Sequence, residues 1–425
     1  MLSYARRTNR LLGLTALVAS LSACTGSSPA HDAAADALTD ASILDVASDA
    51  PSPSSGNIVQ LAGGRYFSCA RTRDRAIYCW GQGAYRQLGG DYGFQGMARH
   101  VDAVDDAVEL DCGDRFTCAI RSTGAVWCWG DDDHKQSGEG TDMPCGDSAI
   151  DSVCAVVPRA ITGLPSDTPV QLALGNEHAC ARLSTGVVWC WGNGTRGQIG
   201  DGSLADNRAP TLVPGLTNVS QVATGDEHTC AIVGSPGQVF CWGADDSGQV
   251  GNGAVTDNVP MPTRVGAIDD AVEVSAGGEH TCVRHASGSV SCWGYDYFGQ
   301  LGNGSTRPTR ATVPQAVTGL NDAVQLGTGR YHTCARRAGG TVVCWGYNAR
   351  GQLGDGTMMD RYVPTPVGGL DGVTFASSSN LHDCVALARG GAECWGDGLG
   401  GQLGDNRQDN HTSTSPFAVM GLPTQ

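Results

Sequence analysis

Short apolar segments recur along the chain at nearly constant spacing, and glycine-rich turns separate them. In one copy, apolar and polar positions alternate from Cys334 to Cys344 around the Gly339-Gly340 pair, which predicts a β-hairpin. A Gly-Gln-Leu-Gly loop follows, and the segment from Pro364 to Leu370 begins with a proline, as edge strands often do. With the segment that begins at Val324, each copy predicts four short strands in about fifty residues.

The tripeptide Cys-Trp-Gly occurs seven times and marks the repeat. Self-similarity at a period of about fifty residues is typical of propeller blades, because one unit cannot bury its apolar face alone. We therefore predict an all-β chain that folds as a seven-bladed β-propeller, with an open solenoid as the alternative. The segment from Pro416 to Leu422 is a spare copy of the proline-led strand, so we expect this C-terminal strand to complete the first blade and close the ring. The repeated tryptophans are Trp80, Trp129, Trp191, Trp242, Trp293, Trp345 and Trp395.

The combined pattern Gly-x-Val-x-Cys-Trp-Gly and Gly-Gln-Leu-Gly resembles the repeat of the regulator of chromosome condensation family, over about residues 58–425. The resemblance implies a seven-bladed β-propeller. In the eukaryotic archetype of that family the propeller promotes nucleotide exchange on a small GTPase and docks on nucleosomes. Secreted bacterial relatives include a propeller that inhibits β-lactamases by protein binding alone. A shared fold does not transfer any one of these activities to this chain.

The N-terminal part of the chain does not follow the repeat. Arg6, Arg7 and Arg10 precede an apolar run from Leu11 to Leu21, which is typical of an export signal. The run ends in Leu-Ser-Ala-Cys, which resembles a bacterial lipobox and predicts lipidation of Cys24; an ordinary cleaved signal with an incidental cysteine is the alternative. We therefore divide the chain into a lipoprotein signal peptide (1–23), a disordered Ala/Ser/Asp-rich tether (24–57) and the propeller (58–425).

Cysteines recur with the repeat, one pair on the two arms of each predicted hairpin. Because exported proteins live where disulfides persist, we predict bridges within these pairs. Buried thiols and metal ligation are the alternatives, although the spacing lacks the short clips typical of zinc sites. The pairs are Cys69/Cys79, Cys118/Cys128, Cys180/Cys190, Cys230/Cys241, Cys282/Cys292, Cys334/Cys344 and Cys384/Cys394. Cys145 and Cys154 form a further pair in an insertion, and Cys112 is left as a buried thiol.

The insertion, at about 141–155, makes the second unit longer than the others, and acidic residues surround it. Because binding residues are often placed on loops of a rigid scaffold, these residues are candidates for a binding loop; a merely solvated loop is the alternative. A calcium site would need the alternating ligands and glycine of an EF-hand loop, which the Asp131-Asp132-Asp133 run lacks, so we predict no metal. The candidates are Asp131, Asp132, Asp133, Glu139, Asp142, Asp147 and Asp151.

A histidine two residues before the first cysteine recurs in five units, whereas the first two units place Phe67 and Phe116 there. Equivalent positions are spread around a ring, so these side chains cannot converge on one ion. We therefore predict a hydrogen bond from each histidine to the backbone within its blade, rather than metal binding or catalysis. The positions are His178, His228, His280, His332 and His382.

Charge and motif content favour binding over catalysis. The formal net charge is −16, so the chain has no basic stripe to neutralise phosphates, and we expect no nucleic-acid partner. The sequence has no nucleophile elbow, zinc-protease motif or phosphate loop, so we predict no catalytic residue and no cofactor. We predict a non-catalytic, monomeric scaffold, lipid-anchored outside the cytoplasm at the outer membrane or cell surface. Its partner is an unknown protein of the cell envelope, and the charge favours a basic one.

Two other functions stay open. The loop aromatics Tyr85, Tyr92, Tyr295, Tyr297 and Phe298 could stack on sugars, which would make the chain a carbohydrate-binding propeller; packing within turns explains them equally. GTPase regulation, as a guanine-nucleotide exchange factor, is implied by the family resemblance alone. An export signal would place the chain away from cytoplasmic GTPases.

Overall fold

The computed structural model describes residues 58–90, 93–140, 143–145, 152–307, 309–407, 409 and 411–423. Within these residues, no helix is long and apolar enough to cross a membrane. The predicted signal peptide, Cys24 and the tether lie outside the described residues. The same holds for four of the candidate binding residues, namely Tyr92, Asp142, Asp147 and Asp151.

The described residues form 29 strands in six antiparallel sheets. Four of these sheets have four strands each. They are β1 to β4 (Ile58–Gly63, Phe67–Thr72, Ile77–Gln82, Phe94–His100), β10 to β13 (Pro169–Leu174, His178–Leu183, Val188–Gly192, Asn207–Leu212), β22 to β25 (Ala323–Thr328, His332–Arg337, Val342–Gly346, Arg361–Pro366) and β26 to β29 (Val373–Ser378, His382–Leu387, Ala392–Asp397, Thr412–Ala418).

The two remaining sheets are larger. One has the strand order β5-β6-β7-β9-β8. Its strands are β5 to β9 (Ala107–Cys112, Phe116–Arg121, Val126–Asp131, Met143–Pro144, Val153–Ala160). The other has eight strands, β14 to β21 (Val219–Thr224, His228–Gly234, Gly237–Ala244, Asn258–Arg264, Ala271–Ala276, His280–His285, Val290–Asp296, Thr309–Ala316).

The eight-stranded sheet contains two copies of the repeat. One copy is β14 to β17 and the other is β18 to β21, and the single residue pair Gly237–Ala271 joins them. The architecture is the predicted all-β propeller. The described residues form six sheets, however, and a count of seven blades requires the two copies in the eight-stranded sheet to be counted separately. We call the copies units one to seven: β1–β4, β5–β9, β10–β13, β14–β17, β18–β21, β22–β25 and β26–β29.

The hydrophobic core lies between successive units. In one cluster, Val239 and Cys241 of unit four pack with Val274 and Trp293 of unit five, and all four are buried. The indole Nε1 of Trp293 donates a hydrogen bond to the carbonyl oxygen of Gln249, in the loop of the preceding unit, at 2.9 Å. The Cys-Trp-Gly strand of one unit is therefore bound to the Gly-Gln-x-Gly loop of the unit before it.

The prediction that the C-terminal strand completes the first unit is wrong. Strand β29 pairs with β28 in the last sheet, and the fourth strand of unit one is β4. Strand β4 was not recognised from the sequence because it lacks the proline found in the other fourth strands. The ring closes by packing and hydrogen bonds between these units instead: Ile58 and Trp80 of unit one share a buried cluster with Cys394 and Leu403 of unit seven. The backbone N–H of Ala98 in β4 also donates to the carbonyl oxygen of Met420 at 2.9 Å.

The predicted disulfide bonds are present. Seven join residues that face each other on the second and third strands of a unit, and Cys145–Cys154 fastens the insertion to β9. On the chain-entropy argument, closing each short loop stabilises the fold by about 2–3 kcal/mol. Cys112 is the free cysteine of the described residues, and it is buried. The seven hairpin bonds are Cys69–Cys79, Cys118–Cys128, Cys180–Cys190, Cys230–Cys241, Cys282–Cys292, Cys334–Cys344 and Cys384–Cys394.

Candidate binding face

The recurring histidines connect neighbouring units. His228 is fully buried, and its Nε2 lies 2.9 Å from the hydroxyl oxygen of Thr281 in the next unit. That hydroxyl donates to the carbonyl oxygen of Gln249, so the histidine is the donor, through Nε2–H. Burial lowers the pKa of His228 to about 4, which keeps the ring neutral at physiological pH. The bond thus runs between units to a side chain, not within a blade to the backbone as expected.

At unit six the partner of the histidine is a carboxylate. His332 Nε2 lies 2.7 Å from Asp383 Oδ2, and Cys334 is near the other carboxylate oxygen. Among the described residues, these three side chains form a group whose donor atoms are close enough to hold a metal ion. However, the sulfur of Cys334 is bonded to Cys344, so the group lacks a free thiolate ligand. Its chemistry fits another buried hydrogen bond of the ring.

The acidic candidates of unit two that the structure describes bind mainly other residues of the same unit. Asp132 is buried, pairs with Arg159 and accepts a hydrogen bond from the backbone N–H of Ser137 at 2.8 Å. Asp133 accepts a hydrogen bond from the backbone N–H of Val153, the first residue of β9, at 2.9 Å. Burial raises the pKa of Asp131 to about 7. Glu139 is exposed, and the role of the insertion as a binding loop stays a prediction.

The first strands of the units line a central channel of about 420 Å³. Its wall is polar, and glutamine side chains connect neighbouring first strands: Gln171 Nε2 donates to the carbonyl oxygen of Val222 at 2.9 Å. At one mouth, Arg330 pairs with Asp226 at 3.2 Å. Burial raises the pKa of Asp226 to about 6. These groups bind one another, so the wall is a structural network.

Two loops of each unit lie on the same face of the propeller. We define the binding face as the face formed by the loops that join first to second strands and third to fourth strands. The residue before the recurring histidine is a glutamate in three consecutive units, Glu177, Glu227 and Glu279, and Tyr331 in the next. Glu227 is paired with an arginine, whereas Glu279 Oε2 accepts a hydrogen bond from the hydroxyl of Ser247 at 2.7 Å.

Five aromatic side chains of units five and six form a continuous group on this face, which we call the aromatic cluster: Tyr295, Tyr297, Phe298, Tyr331 and Tyr347. Tyr295 and Tyr297 are stacked, with ring centroids 5.6 Å apart and an interplanar angle of 14°. Phe298 contacts Tyr347 at 4.7 Å between centroids. Tyr297 is 54% exposed.

The aromatic cluster borders a cavity of about 300 Å³. Four of its rings line the cavity, together with Glu279 and Leu381. The sequence pointed to Tyr295, Tyr297 and Phe298 but missed Tyr331 and Tyr347. One signal was present: Tyr347 follows Cys-Trp-Gly at the position that Tyr295 holds in the preceding unit.

A second cavity, of about 250 Å³, lies between units one and two, at the corresponding place in the repeat. Tyr66, Tyr85, Arg65 and Arg115 are among its lining residues. The guanidinium carbon of Arg115 lies 4.6 Å from the ring centroid of Tyr85, and that of Arg65 lies 5.3 Å from that of Tyr66. Tyr85 therefore does not join the aromatic cluster, and the chain's own arginines cover its surroundings.

Comparison with protein families agrees with the repeat read from the sequence. A family model described as "Regulator of chromosome condensation (RCC1) repeat" matches residues 123–182, 185–232, 236–284, 287–336 and 339–384, which is more than half of the chain. A second model with that description matches six segments; the first of them, residues 58–87, lies outside the segments of the first model, and the others overlap them. The chain belongs to the regulator of chromosome condensation repeat family.

Relatives within this family have varied roles. The human protein "Probable E3 ubiquitin-protein ligase HERC3" is 36% identical over 213 residues, which are 48% of this chain and 20% of HERC3. The Arabidopsis thaliana "Ultraviolet-B receptor UVR8" is 32% identical over 197 residues, which are 45% of this chain and 44% of UVR8. The alignment thus spans less than half of either relative.

Two solved structures share the fold of this chain. Human WBSCR16 superimposes with a TM-score of 0.70 and 21% identity, covering 82% of this chain and 95% of WBSCR16. Prp20p from Saccharomyces cerevisiae, whose structure was described with its binding to Gsp1p and histones, gives a TM-score of 0.66 and 20% identity, covering 76% of this chain and 80% of Prp20p. At this identity the likeness supports the propeller fold alone.

Proposed function

We propose that this protein is a non-catalytic, monomeric binding scaffold whose binding face docks a basic protein partner. The observation that carries the proposal is the aromatic cluster, which lies beside the glutamates of the same face. The repeated polar groups, such as His228, bind within the framework and are not available to a ligand. Aromatic side chains are enriched at the energetic centres of interfaces, and the net charge of −16 favours a basic partner.

We further propose that the ring has seven blades and is held outside the cytoplasm by a lipid on Cys24, at the outer membrane or cell surface. Counting the two copies in the eight-stranded sheet separately supports the number seven. Eight disulfide bonds support an oxidising compartment. Metabolic labelling with a fatty-acid analogue tests the anchor: label should enter the full chain and should be lost in Cys24→Ala.

A carbohydrate ligand is the second candidate, because Tyr297 is exposed and stacked on Tyr295 and so offers a flat ring face. GTPase regulation has no support on this face beyond family membership. The two ligand classes differ in their dependence on charge: capture of a basic protein weakens with salt, whereas sugar stacking is less sensitive to it.

Affinity capture from envelope extract with two matched charge variants of the full chain tests the proposal. Glu227→Gln/Asp246→Asn removes two exposed carboxylates of the binding face, and Asp269→Asn/Asp270→Asn removes two of similar exposure from the loop between β17 and β18 on the opposite face. We expect a basic protein to be retained by the wild type and the second variant, and several-fold less by the first. Equal retention by both variants would overturn the proposal.

A further inference from the structure

We propose that the cavity of the aromatic cluster is a cage for an organic cation, and that it receives an ammonium or guanidinium side chain of the basic partner. This inference rests on the proposed function, because it names the chemical group with which that partner would enter the binding face. Four rings form the walls of the cage, and one carboxylate provides its charge. The rings are Tyr295, Phe298, Tyr331 and Tyr347, and the carboxylate is that of Glu279.

The rings are arranged as walls at steep angles, not as one flat platform. Phe298 and Tyr331 meet at 65° with centroids 5.7 Å apart, and Tyr331 and Tyr347 meet at 80° with centroids 6.2 Å apart. Such an arrangement places rings at different angles around one half-open cavity. A cation there would lie within about 6 Å of more than one ring centroid, the range over which ring quadrupoles attract cations. The volume of about 300 Å³ admits a side-chain head group.

The charge of the cavity matches a cation. Glu279 lines it, and the hydroxyl of Ser247 holds the carboxylate by a hydrogen bond at 2.7 Å. The nearby Arg330 lies over Tyr331, at 5.4 Å from the ring centroid, but it is turned to the channel, where it pairs with Asp226. The carboxylate of Glu279 therefore gives one side of the cavity a negative charge, and its partner, the Ser247 hydroxyl, is neutral. The described contacts of the adjacent rings are mainly with one another.

The corresponding cavity between units one and two supports this inference from within the same chain. Tyr85 holds the loop position that Phe298 holds in unit five, and Arg115 holds the position of Tyr331. There the guanidinium of Arg115 lies over Tyr85, so this cavity is supplied with a cation by the chain itself. Between units five and six the arginine is replaced by Tyr331 and the facing Tyr66 by Glu279. Arg330, which lies over Tyr331, is paired with Asp226, and the described partner of Glu279 is the neutral hydroxyl of Ser247. A carboxylate is therefore present to attract a cation from outside the chain.

Titration of the full chain with choline and with its neutral isostere 3,3-dimethylbutan-1-ol tests the cage. The two probes have the same shape and differ in charge. By isothermal titration calorimetry and ligand-observed NMR, we expect saturable binding of choline and about tenfold weaker binding of the neutral probe. N-acetyl-lysine-amide and N-acetyl-arginine-amide, as side-chain surrogates, should compete with choline. Equal binding of choline and the isostere would overturn the cage.

Variants locate the binding. Tyr331→Leu and Glu279→Gln should each weaken choline binding by about three- to tenfold, and Tyr331→Phe should retain it because the ring remains. Tyr66→Leu is the matched control. Tyr66 precedes the second strand of unit one as Tyr331 precedes the second strand of unit six, and it also lies beneath an arginine. Thermal unfolding confirms that each variant is folded. Choline binding that is unchanged in Tyr331→Leu and Glu279→Gln would overturn the assignment.

The cage and the proposed function fail in different ways. If capture of a basic protein depends on Glu227 and Asp246 but choline does not bind, the proposed scaffold function would stand and the cation cage would be rejected. If choline binds and the lysine and arginine surrogates do not compete with it, the ligand would be a free quaternary ammonium compound. That result would contradict the proposal that a side chain of the partner occupies the cage. A glycan that binds and is lost in Tyr331→Leu, with no binding of choline, would replace the cage by the carbohydrate alternative.

Discussion

The indole Nε1 of Trp80 donates to the carbonyl oxygen of Gln402 at 2.9 Å, although 322 residues separate the two in sequence. Trp242 makes the same bond to Gln198, between units three and four, at 2.9 Å. The contact that closes the ring is therefore of the same kind as an internal contact. Since no strand is shared between the first and last sheets, the ring depends on this interface to remain closed.

Trp80→Phe should lower the free energy of unfolding by about 2–4 kcal/mol, because it removes the indole hydrogen bond and leaves a cavity beside the Gln402 carbonyl. That carbonyl keeps the Ser68 hydroxyl as a donor, at the longer distance of 3.3 Å. Trp242→Phe, at an internal interface, is the matched control and should cost a similar amount. Urea unfolding followed by circular dichroism measures both. A change below about 1 kcal/mol for Trp80→Phe alone would show that the closing interface contributes little.

Removal of one hairpin disulfide, by Cys282→Ala/Cys292→Ala, should lower the free energy of unfolding by about 2–3 kcal/mol, because the unfolded chain regains the freedom of the closed loop. Cys112→Ala is the control for loss of a buried sulfur without loss of a bond. Urea midpoints of the oxidised proteins give the comparison. If the double variant and Cys112→Ala had equal effects, the bond would not be formed in solution.

His280→Phe should reduce the loss of stability at acid pH. Burial lowers the pKa of His280 to about 3, below its ordinary value of 6.5, so its contribution is complete above pH 6.5 and is lost as pH falls toward 3. The replacement places at this position the residue that unit two has there, Phe116, and Thr333 keeps its bond to the Gln300 carbonyl. The free energy of unfolding, measured from pH 7 to 4, should fall less steeply with pH in the variant. The slope should correspond to up to one proton fewer taken up on unfolding. An unchanged slope would contradict the neutral buried state.

Glu109→Gln should stabilise the protein at alkaline pH. Burial raises the pKa of Glu109 to about 7, above its ordinary value of 4.5, so the folded state is penalised increasingly as pH rises through 7 and not at pH 4. Glutamine occupies the equivalent position as Gln60, Gln171 and Gln221. We expect a gain of about 1–2 kcal/mol at pH 8 that disappears at pH 4. Gln171→Glu, the reverse change, should destabilise at pH 8.

The hairpins and their cysteine pairs were predictable because they are local. Cys334 and Cys344 lie on the two arms of one alternating segment, and a short turn brings them face to face. The closure of the ring was not predictable in the same way, because β4 lacks the proline that identifies the other fourth strands. Without β4, the C-terminal strand was assigned to unit one.

The aromatic cluster shows the same limit at the candidate site. Tyr295 and Tyr297 are near each other in sequence, and their proximity could be foreseen. Tyr331 belongs to the next unit, and its contact with Phe298 depends on how two sheets are placed side by side. The sequence made the acidic run from Asp131 to Asp133 a candidate for ligand binding. Only the fold shows that Arg159 and backbone donors already bind carboxylates of this run.

The cavity of the aromatic cluster is built across unit boundaries: Glu279 and Tyr295 come from unit five, Tyr331 and Tyr347 from unit six, and Leu381 from unit seven. Each sheet, by contrast, is assembled from consecutive strands, so the exchange or duplication of a whole repeat breaks no strand pairing within a unit. Ligand specificity in such a ring is therefore a property of neighbouring repeats in combination. Recombination that brings new neighbours together can create a new recognition site without inventing a new repeat.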